Sequence, residues 1–155
     1  MDNSTQRSIK WLSVAILIVA TIYFAFIISL TVSQVWIQKS IVWNEDNLAW
    51  QYFVIIGRLV SSILLYLFCW VFLVRTNRSL KSGEIFPKSN ISLIRWTALV
   101  SLLATFVNAN YEDVIQGAHC SVLDGNTFFI PLVILLFAGL YKMAYLAAKD
   151  SNLAI

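Results

Sequence analysis

The sequence predicts an all-α membrane protein, an antiparallel four-helix transmembrane bundle, and three observations lead to this fold class. The 155 residues are 59% hydrophobic and 12% charged, with a mean hydropathy of +0.76, whereas soluble domains carry about 25% charged residues. Four apolar runs have the length of about 20 residues that crosses a bilayer. Lys and Arg gather at the ends of these runs, as topology signals do. The runs fill most of the chain, so we expect one membrane domain over 1–155.

The first predicted span covers about residues 11–33, which follow a short polar stretch. A secretory signal has an apolar core of about 7–15 residues and a small-residue cleavage site. This run is longer and has no A-x-A site, so we expect it to be retained as a membrane helix.

An outer loop is predicted over 34–49, where Trp36, Trp43 and Trp50 recur every seven residues. On a helix they would form one stripe. Two interpretations remain open, an amphipathic helix on the outer face and an aromatic belt at the headgroups, which is the more common reason for tryptophan at an interface.

The second predicted span, about 50–74, contains Arg58, the basic residue embedded in an apolar run. A charge at the centre of a span costs about 2.5–3.5 kcal/mol on insertion scales, so it normally faces other helices and has a partner. On an antiparallel third span, Asn108 and Glu112 fall at a similar depth. We predict either a polar clasp among these three residues or a site for an anion or lipid headgroup.

A basic cytoplasmic loop is predicted over 75–90. The segment from Arg75 to Arg95 holds five of the eleven Lys and Arg residues. We expect the second helix to run on through Leu80 and to stop at Gly83, because glycine suits the position after a helix end.

The third and fourth predicted spans cover about 91–110 and 127–149, and the outer loop 111–126 between them is acidic and carries no Lys or Arg. Cys69 and Cys120 should lie in opposite halves of the bilayer, too far apart for a disulfide, which needs Cα atoms within about 7 Å. Cys120 is then a free thiol or forms an intermolecular bridge.

The distribution of Lys and Arg predicts the orientation. Lys39 alone falls in an outer loop, and the remaining basic residues other than Arg58 fall on one side (Arg7, Lys10, Arg75, Arg78, Lys81, Lys88, Arg95, Lys142, Lys149). Basic loops stay in the cytoplasm. We therefore expect both termini to be cytoplasmic and the chain to be a multi-pass protein of the cell (inner) membrane.

The loop also carries a pattern of K-x-G-E-x-F, an Asn four residues after the Phe and a basic residue at the start of the third span. These residues are Lys81, Gly83, Glu84, Phe86, Asn90 and Arg95. In this pattern and in its tail, Asp150 to Ile155, the chain resembles a family of small bacterial four-span membrane proteins catalogued only as a domain of unknown function. It departs from the family at Pro87 and Ala154. The resemblance implies the four-span layout and a pairing with small Xre/Cro-type helix-turn-helix regulators, and it implies no activity.

The sequence contains no motif for nucleophilic catalysis, phosphate binding or metal binding, so we expect a non-enzymatic protein without cofactors. His119 and Cys120 with the nearby carboxylates lack a ligand spacing and are interpreted as part of a solvated loop. Direct binding of nucleic acid is not expected, because the basic residues sit at span ends and not on a soluble module. The pairs Gly57/Ser61 and Ala144/Ala148 predict close helix packing, within the chain or in a homo-oligomer.

Two function classes follow. The first is a regulatory or accessory module that docks a cytoplasmic protein, such as a helix-turn-helix regulator, through loop 75–95. Its candidate partner residues are Arg78, Lys81, Gly83, Glu84, Phe86 and Asn90. The alternative is a small transport, resistance or immunity-type protein that uses Arg58 and outer acidic groups on a ligand. Transport coupled to protons usually needs an embedded acid, which favours the first class.

Overall fold

The computed structural model describes residues 3–37, 40–82, 86–118, 123 and 125–153, which contain helices and no strands. The four long helices are α1 (Asn3–Val32), α2 (Leu48–Lys81), α3 (Ser89–Ile115) and α4 (Gly125–Leu153). A π-helical turn (Ser33–Ile37) extends α1, and a 3-10 turn (Glu45–Asn47) precedes α2. All four helices are long and apolar enough to cross a membrane. The all-α class and the four long apolar helices are thus confirmed.

The helices are longer than the predicted spans, because backbone hydrogen bonding continues after the apolar run ends. Helix α2 continues beyond residue 74 to Lys81, as expected, and the backbone N–H of Ser82 closes it on the carbonyls of Ser79 and Leu80. Gly83, the predicted stop, lies outside the described residues. Helix α3 begins at Ser89 and extends to Ile115, into the predicted outer loop. Much of the loop sequence is therefore helical.

The helices pack in the order of the chain. Helix α2 packs on α1 and α3, and α3 also packs on α4, whereas α1 and α4 do not pack on each other within the described residues. Neighbouring helices are antiparallel. For example, Gln51 at the start of α2 donates to the carbonyl of Val114 at the end of α3. Towards the other end of α2, Thr76 lies 3.1 Å from Asn90 at the start of α3. The result is an open row of helices with α2 and α3 at its centre.

Each end of this row is named by a polar residue that is completely buried there, Gln51 or Asn90. The Gln51 end contains the end of α1, the start of α2, the end of α3 and the start of α4. The Asn90 end contains the start of α1, the end of α2, the start of α3 and the second half of α4.

The buried apolar cluster lies between α2 and α3 near the Gln51 end (Ile41, Val54, Ile55, Val107, Tyr111, Val114). At Gly57 in α2, an added Cβ would lie 3.0 Å from Cγ1 of Val107. This distance is tighter than ordinary van der Waals contact, so the glycine permits the close approach of the two helices. Small residues have this role in membrane helix packing generally.

The described helices expose many large apolar side chains and bury many polar ones, in addition to the apolar cluster. Large apolar side chains are exposed along the helices, including Phe26, Leu136 and Phe137 at about 60%. Buried positions include many polar residues (Ser13, Thr31, Gln51, Ser61, Ser62, Asn90, Ser101, Asn110, Thr127). In a bilayer the exposed apolar surface would face lipid, and helices would be joined by hydrogen bonds and close packing.

Pro131 lies inside α4 and has no N–H to donate to the carbonyl one turn earlier, at Thr127. That carbonyl lies 3.2 Å from the hydroxyl of Thr105 in α3. The same hydroxyl also lies 2.8 Å from the carbonyl of Ser101 in its own helix, so its single proton is shared. Serine and threonine side chains commonly satisfy backbone groups freed by proline in membrane helices.

Candidate functional site

Gln51 joins three parts of the chain at the first turn of α2. Its side chain is completely buried. The Nε2 group donates to the carbonyl of Val42 at 2.8 Å and to that of Val114 at 2.9 Å, and Oε1 accepts from the backbone N–H of Asn44 at 3.0 Å. Both the nitrogen and the oxygen of this side-chain amide therefore have hydrogen-bond partners.

The segment around Val42 is held against the end of α3 by further bonds. The N–H of Val42 donates to the carbonyl of Ile115 at 2.9 Å, and Nδ2 of Asn44 donates to the carbonyl of Gly117 at 3.3 Å. Gly117 has φ +80, and an added Cβ would lie 3.1 Å from the carbonyl oxygen of Val42. Both the backbone angle and the close approach require glycine here.

Trp36, Trp43 and Trp50 do not share one helix. Residues 40–44 are not helical and separate the turn that holds Trp36 from α2. The interpretation of 34–49 as one amphipathic helix is therefore wrong for the described residues. Hydrogen bonds to Gln51 and to the end of α3 satisfy this segment's backbone in place of helical ones.

The guanidinium group of Arg58 lies over the ring of Tyr111, with Cζ 3.7 Å from the ring centroid. Tyr111 is 3% exposed, and its hydroxyl donates to Oε1 of Gln34 at 2.7 Å. The Nε atom of Arg58 is buried and has no hydrogen-bond partner. Arg58 thus bridges α2 and α3 through a cation–π contact, which is worth about 0.5–1 kcal/mol when exposed and about 2 kcal/mol when desolvated.

Asn108 and Glu112, the predicted partners of Arg58, do not form the clasp. Nδ2 of Asn108 donates to the carbonyl of Ala104 in its own helix at 2.8 Å, and both side chains are exposed. No ion pair within 4.0 Å joins Arg58 to Glu112 in the described structure. The rotation of α3 about its axis brings Tyr111 towards Arg58. It turns Asn108 and Glu112 outwards.

At the opposite end, Asn90 forms a polar junction between three helices. Its side chain is completely buried, and Nδ2 lies 3.1 Å from the hydroxyl of Thr76 in α2 and 3.3 Å from that of Tyr141 in α4. The Oδ1 atom of Asn90 has no partner. Asn90, one of the candidate partner residues, therefore serves the packing of the helices and is not on the surface.

Phe86 is half-buried, and its ring meets that of Tyr141 edge-on, with centroids 5.4 Å apart. It also lines an apolar cavity of about 580 Å³ between α2, α3 and α4, together with Cys69 and Phe72. Gly83 and Glu84 lie outside the described residues. Phe86 thus covers the ends of the helices and is not directed towards solvent.

The basic residues of segment 75–95 have the opposite placement, because all of them are exposed (Arg75, Arg78, Lys81, Lys88, Arg95). Nη1 of Arg75 donates to the carbonyl of Ser89 at 3.3 Å, across the connection between α2 and α3. The neighbouring Leu80, Pro87 and Ile91 are buried. The segment therefore presents a cationic surface on an ordered base.

Within the described residues, no group of three or more His, Cys, Asp or Glu side chains could hold a metal ion. His119 and Cys120, singled out in the acidic loop, lie outside those residues. Comparison with protein-family models, with curated proteins and with solved structures finds no match.

Reasoning from sequence missed three residues of these sites, Gln51, Tyr111 and Tyr141. A signal existed for Gln51, because an amide at the start of an apolar run needs partners when it is buried. Tyr111 had no such signal, since a tyrosine near a span end fits an interfacial belt equally well.

Proposed function

We propose that this chain is a non-enzymatic, multi-pass membrane protein whose segment 75–95 docks a cytoplasmic protein with an acidic surface. The observation that carries the proposal is the exposure of all five basic side chains in that segment. They stand on buried Leu80 and Ile91, so the cations are held in a defined arrangement without being used in the core.

The proposal includes an orientation and a compartment. The Asn90 end carries most of the basic residues, and such ends remain in the cytoplasm. In this orientation, the Gln51 end, with its acidic residues, faces outwards and both termini are cytoplasmic. The resemblance to small bacterial four-span proteins supports the cell membrane as the location, and it supports a small helix-turn-helix regulator as the partner.

The placement of the candidate residues refines which of them would contact the partner. Asn90 is buried and Phe86 packs on Tyr141, so both would act by shaping the connection. The exposed basic side chains of segment 75–95 would make the contact with the partner. Attraction between these cations and the acidic surface of the partner would raise the association rate and make it sensitive to salt.

The test compares two variants that each remove two exposed charges. Lys88→Gln with Arg95→Gln changes the docking segment, and Lys142→Gln with Lys149→Gln changes exposed positions of α4. Proteins captured from native membranes would be quantified by mass spectrometry. We expect one acidic soluble protein to be enriched with the parent chain and with the α4 variant, and to fall about tenfold with the segment variant, since each exposed charge contributes up to about 1 kcal/mol. If no soluble protein separates the two variants, the docking proposal is wrong.

A second candidate, recognition of an anionic ligand at Arg58, is favoured by one observation, the buried Nε atom without a partner. This buried N–H would donate to a carboxylate or phosphate oxygen of the ligand. This function belongs to the transport, resistance or immunity class.

Thermal unfolding in detergent would separate a ligand role of Arg58 from a structural one. If Arg58 only stacks on Tyr111, Arg58→Leu should destabilise the protein by about 1–2 kcal/mol, and this loss should vanish when Tyr111→Leu is already present. If Arg58 is kept for a ligand, Arg58→Leu should leave the ligand-free protein as stable or more stable, because a buried unpaired group is removed.

A further inference from the structure

A cavity of about 900 Å³ lies at the Asn90 end between the start of α1 and the end of α2. Its polar lining consists of Arg7 and Lys10 from α1 with Asn77, Arg78 and Lys81 from α2. Among the residues that the structure describes, no acidic side chain lines it. The volume is at the upper end of the range of ordinary ligand pockets, about 300–1,000 Å³.

The cations are brought together by helical spacing on two antiparallel helices. Arg7 and Lys10 are three residues apart in α1, as are Arg78 and Lys81 in α2, so each pair shares one face of its helix. The four side chains are exposed, and no ion pair holds any of them within the described parts of the chain. Like charges at this spacing repel each other, so an anion between the helices would relieve the repulsion.

The remaining wall of the cavity is apolar. Trp11 and Val14 of α1 face Val74 and Leu80 of α2. Trp11 is 70% exposed and lies one turn beyond Arg7, at the depth where tryptophan occupies a membrane interface. The site therefore offers cations at its polar end and an apolar wall where the helices enter the predicted bilayer.

We propose that this basic cavity binds the headgroup of an anionic phospholipid that carries two phosphates. Two pairs of cations match two phosphate groups, and the apolar wall accommodates the glycerol and the first carbons of the acyl chains. Basic pockets between transmembrane helices on the cytoplasmic side bind such headgroups. The cavity shares Arg78 and Lys81 with segment 75–95, whereas Arg7 and Lys10 lie outside that segment. A variant of the two α1 residues therefore tests the lipid site without changing the docking segment.

Binding of cardiolipin to the full chain in detergent, followed by native mass spectrometry, tests the proposal. Arg7→Gln with Lys10→Gln should weaken binding about 30-fold, because each cation near a lipid surface contributes about 1 kcal/mol and about 1.4 kcal/mol is tenfold. The control variant, Lys142→Gln with Lys149→Gln, removes the same charge from exposed positions that do not line the cavity and should change the affinity less than threefold.

Two results would overturn the proposal. The first is an equal loss of affinity in the cavity and control variants, which would mean diffuse attraction to anionic lipid and no site. Inorganic pyrophosphate should not displace cardiolipin at matched concentration, and displacement would assign the site to a soluble anion instead of a lipid. If the α1 variant loses its helical circular dichroism, the single changes Arg7→Gln and Lys10→Gln replace it, each with an expected loss of about fivefold. Partner capture by segment 75–95 should survive the α1 variant, so failure of one proposal leaves the other measurable.

Discussion

The side chain of Gln51 connects three separate parts of the structure, the start of α2, the segment around Val42 and the end of α3. A buried polar group that loses its partner costs about 1–3 kcal/mol. The side-chain amide of Gln51 bonds to three backbone groups, so its removal would leave all three without this partner.

Gln51→Ala should lower the free energy of unfolding by about 3 kcal/mol, because two carbonyls and one N–H lose their partner. Gln51→Glu keeps the size of the side chain but offers no donor when ionised and one O–H when protonated. At least one of the carbonyls of Val42 and Val114 would lose its donor, so this variant should be destabilised as well. Gln116→Ala is the matched control, because that glutamine is exposed at the end of α3. Chemical or thermal unfolding in detergent measures all three, and a Gln51→Glu protein as stable as the parent would contradict this account.

The residue scale is also where reasoning from sequence was least complete. Arg58 could be recognised as an embedded charge in need of a partner, but Asn108 and Glu112 were selected by depth alone. Depth along a helix follows from counting residues, whereas the direction of a side chain depends on how the helix is rotated about its axis. The rotation of α3 brings Tyr111 over Arg58.

Among the helices, α3 is one of the two central ones and packs on both α2 and α4. Its polar side chains connect it to both neighbours, through Asn90 at one end and through Thr105 nearer the other. Hydrogen bonds of this kind between membrane helices contribute about 0.6 kcal/mol on average and at most about 1.7 kcal/mol.

The contact between Thr105 and the carbonyl freed by Pro131 gives a prediction at this scale. Thr105→Val should destabilise the protein by about 0.6 kcal/mol, because the carbonyl of Thr127 loses its donor. In a Pro131→Ala background the alanine N–H restores the helical bond, so Thr105→Val should cost less there.

Thr97→Val serves as the control for this cycle, because the hydroxyl of Thr97 donates only within its own helix, to Leu93 at 2.9 Å. Unfolding of the single and double variants in detergent would be compared. Equal costs of Thr105→Val in both backgrounds would mean that Pro131 and Thr105 are not coupled.

At the scale of the whole molecule, the open row of helices leaves apolar side chains exposed on α1 and α4 in particular. In the most apolar 18-residue stretch of each helix, only 6% is buried for α1 and 11% for α4. Exposed apolar surface of this extent needs lipid or other protein to cover it. In the proposed membrane insertion, lipid acyl chains cover this surface.

The orientation predicts which positions an impermeant maleimide can reach in intact cells. In a chain with Cys69→Ser and Cys120→Ser, a single cysteine at Asp46→Cys or Gln116→Cys should be labelled from outside, because these exposed residues lie at the Gln51 end. Lys88→Cys, exposed near the Asn90 end, should be labelled only after the membrane is permeabilised. Labelling of Lys88→Cys in intact cells would show that the proposed orientation is wrong.

The four long apolar helices could be predicted from the sequence, because helix formation and apolar character over about 20 residues depend on local composition. The continuation of α2 into the basic segment could be predicted as well. The packing of the helices was needed to show that residues 40–44 dock on α3 through Gln51, that Tyr111 lies over Arg58 and that Asn90 is buried. These contacts join residues far apart in the chain, and they depend on the rotation and spacing of neighbouring helices, which no local pattern contains.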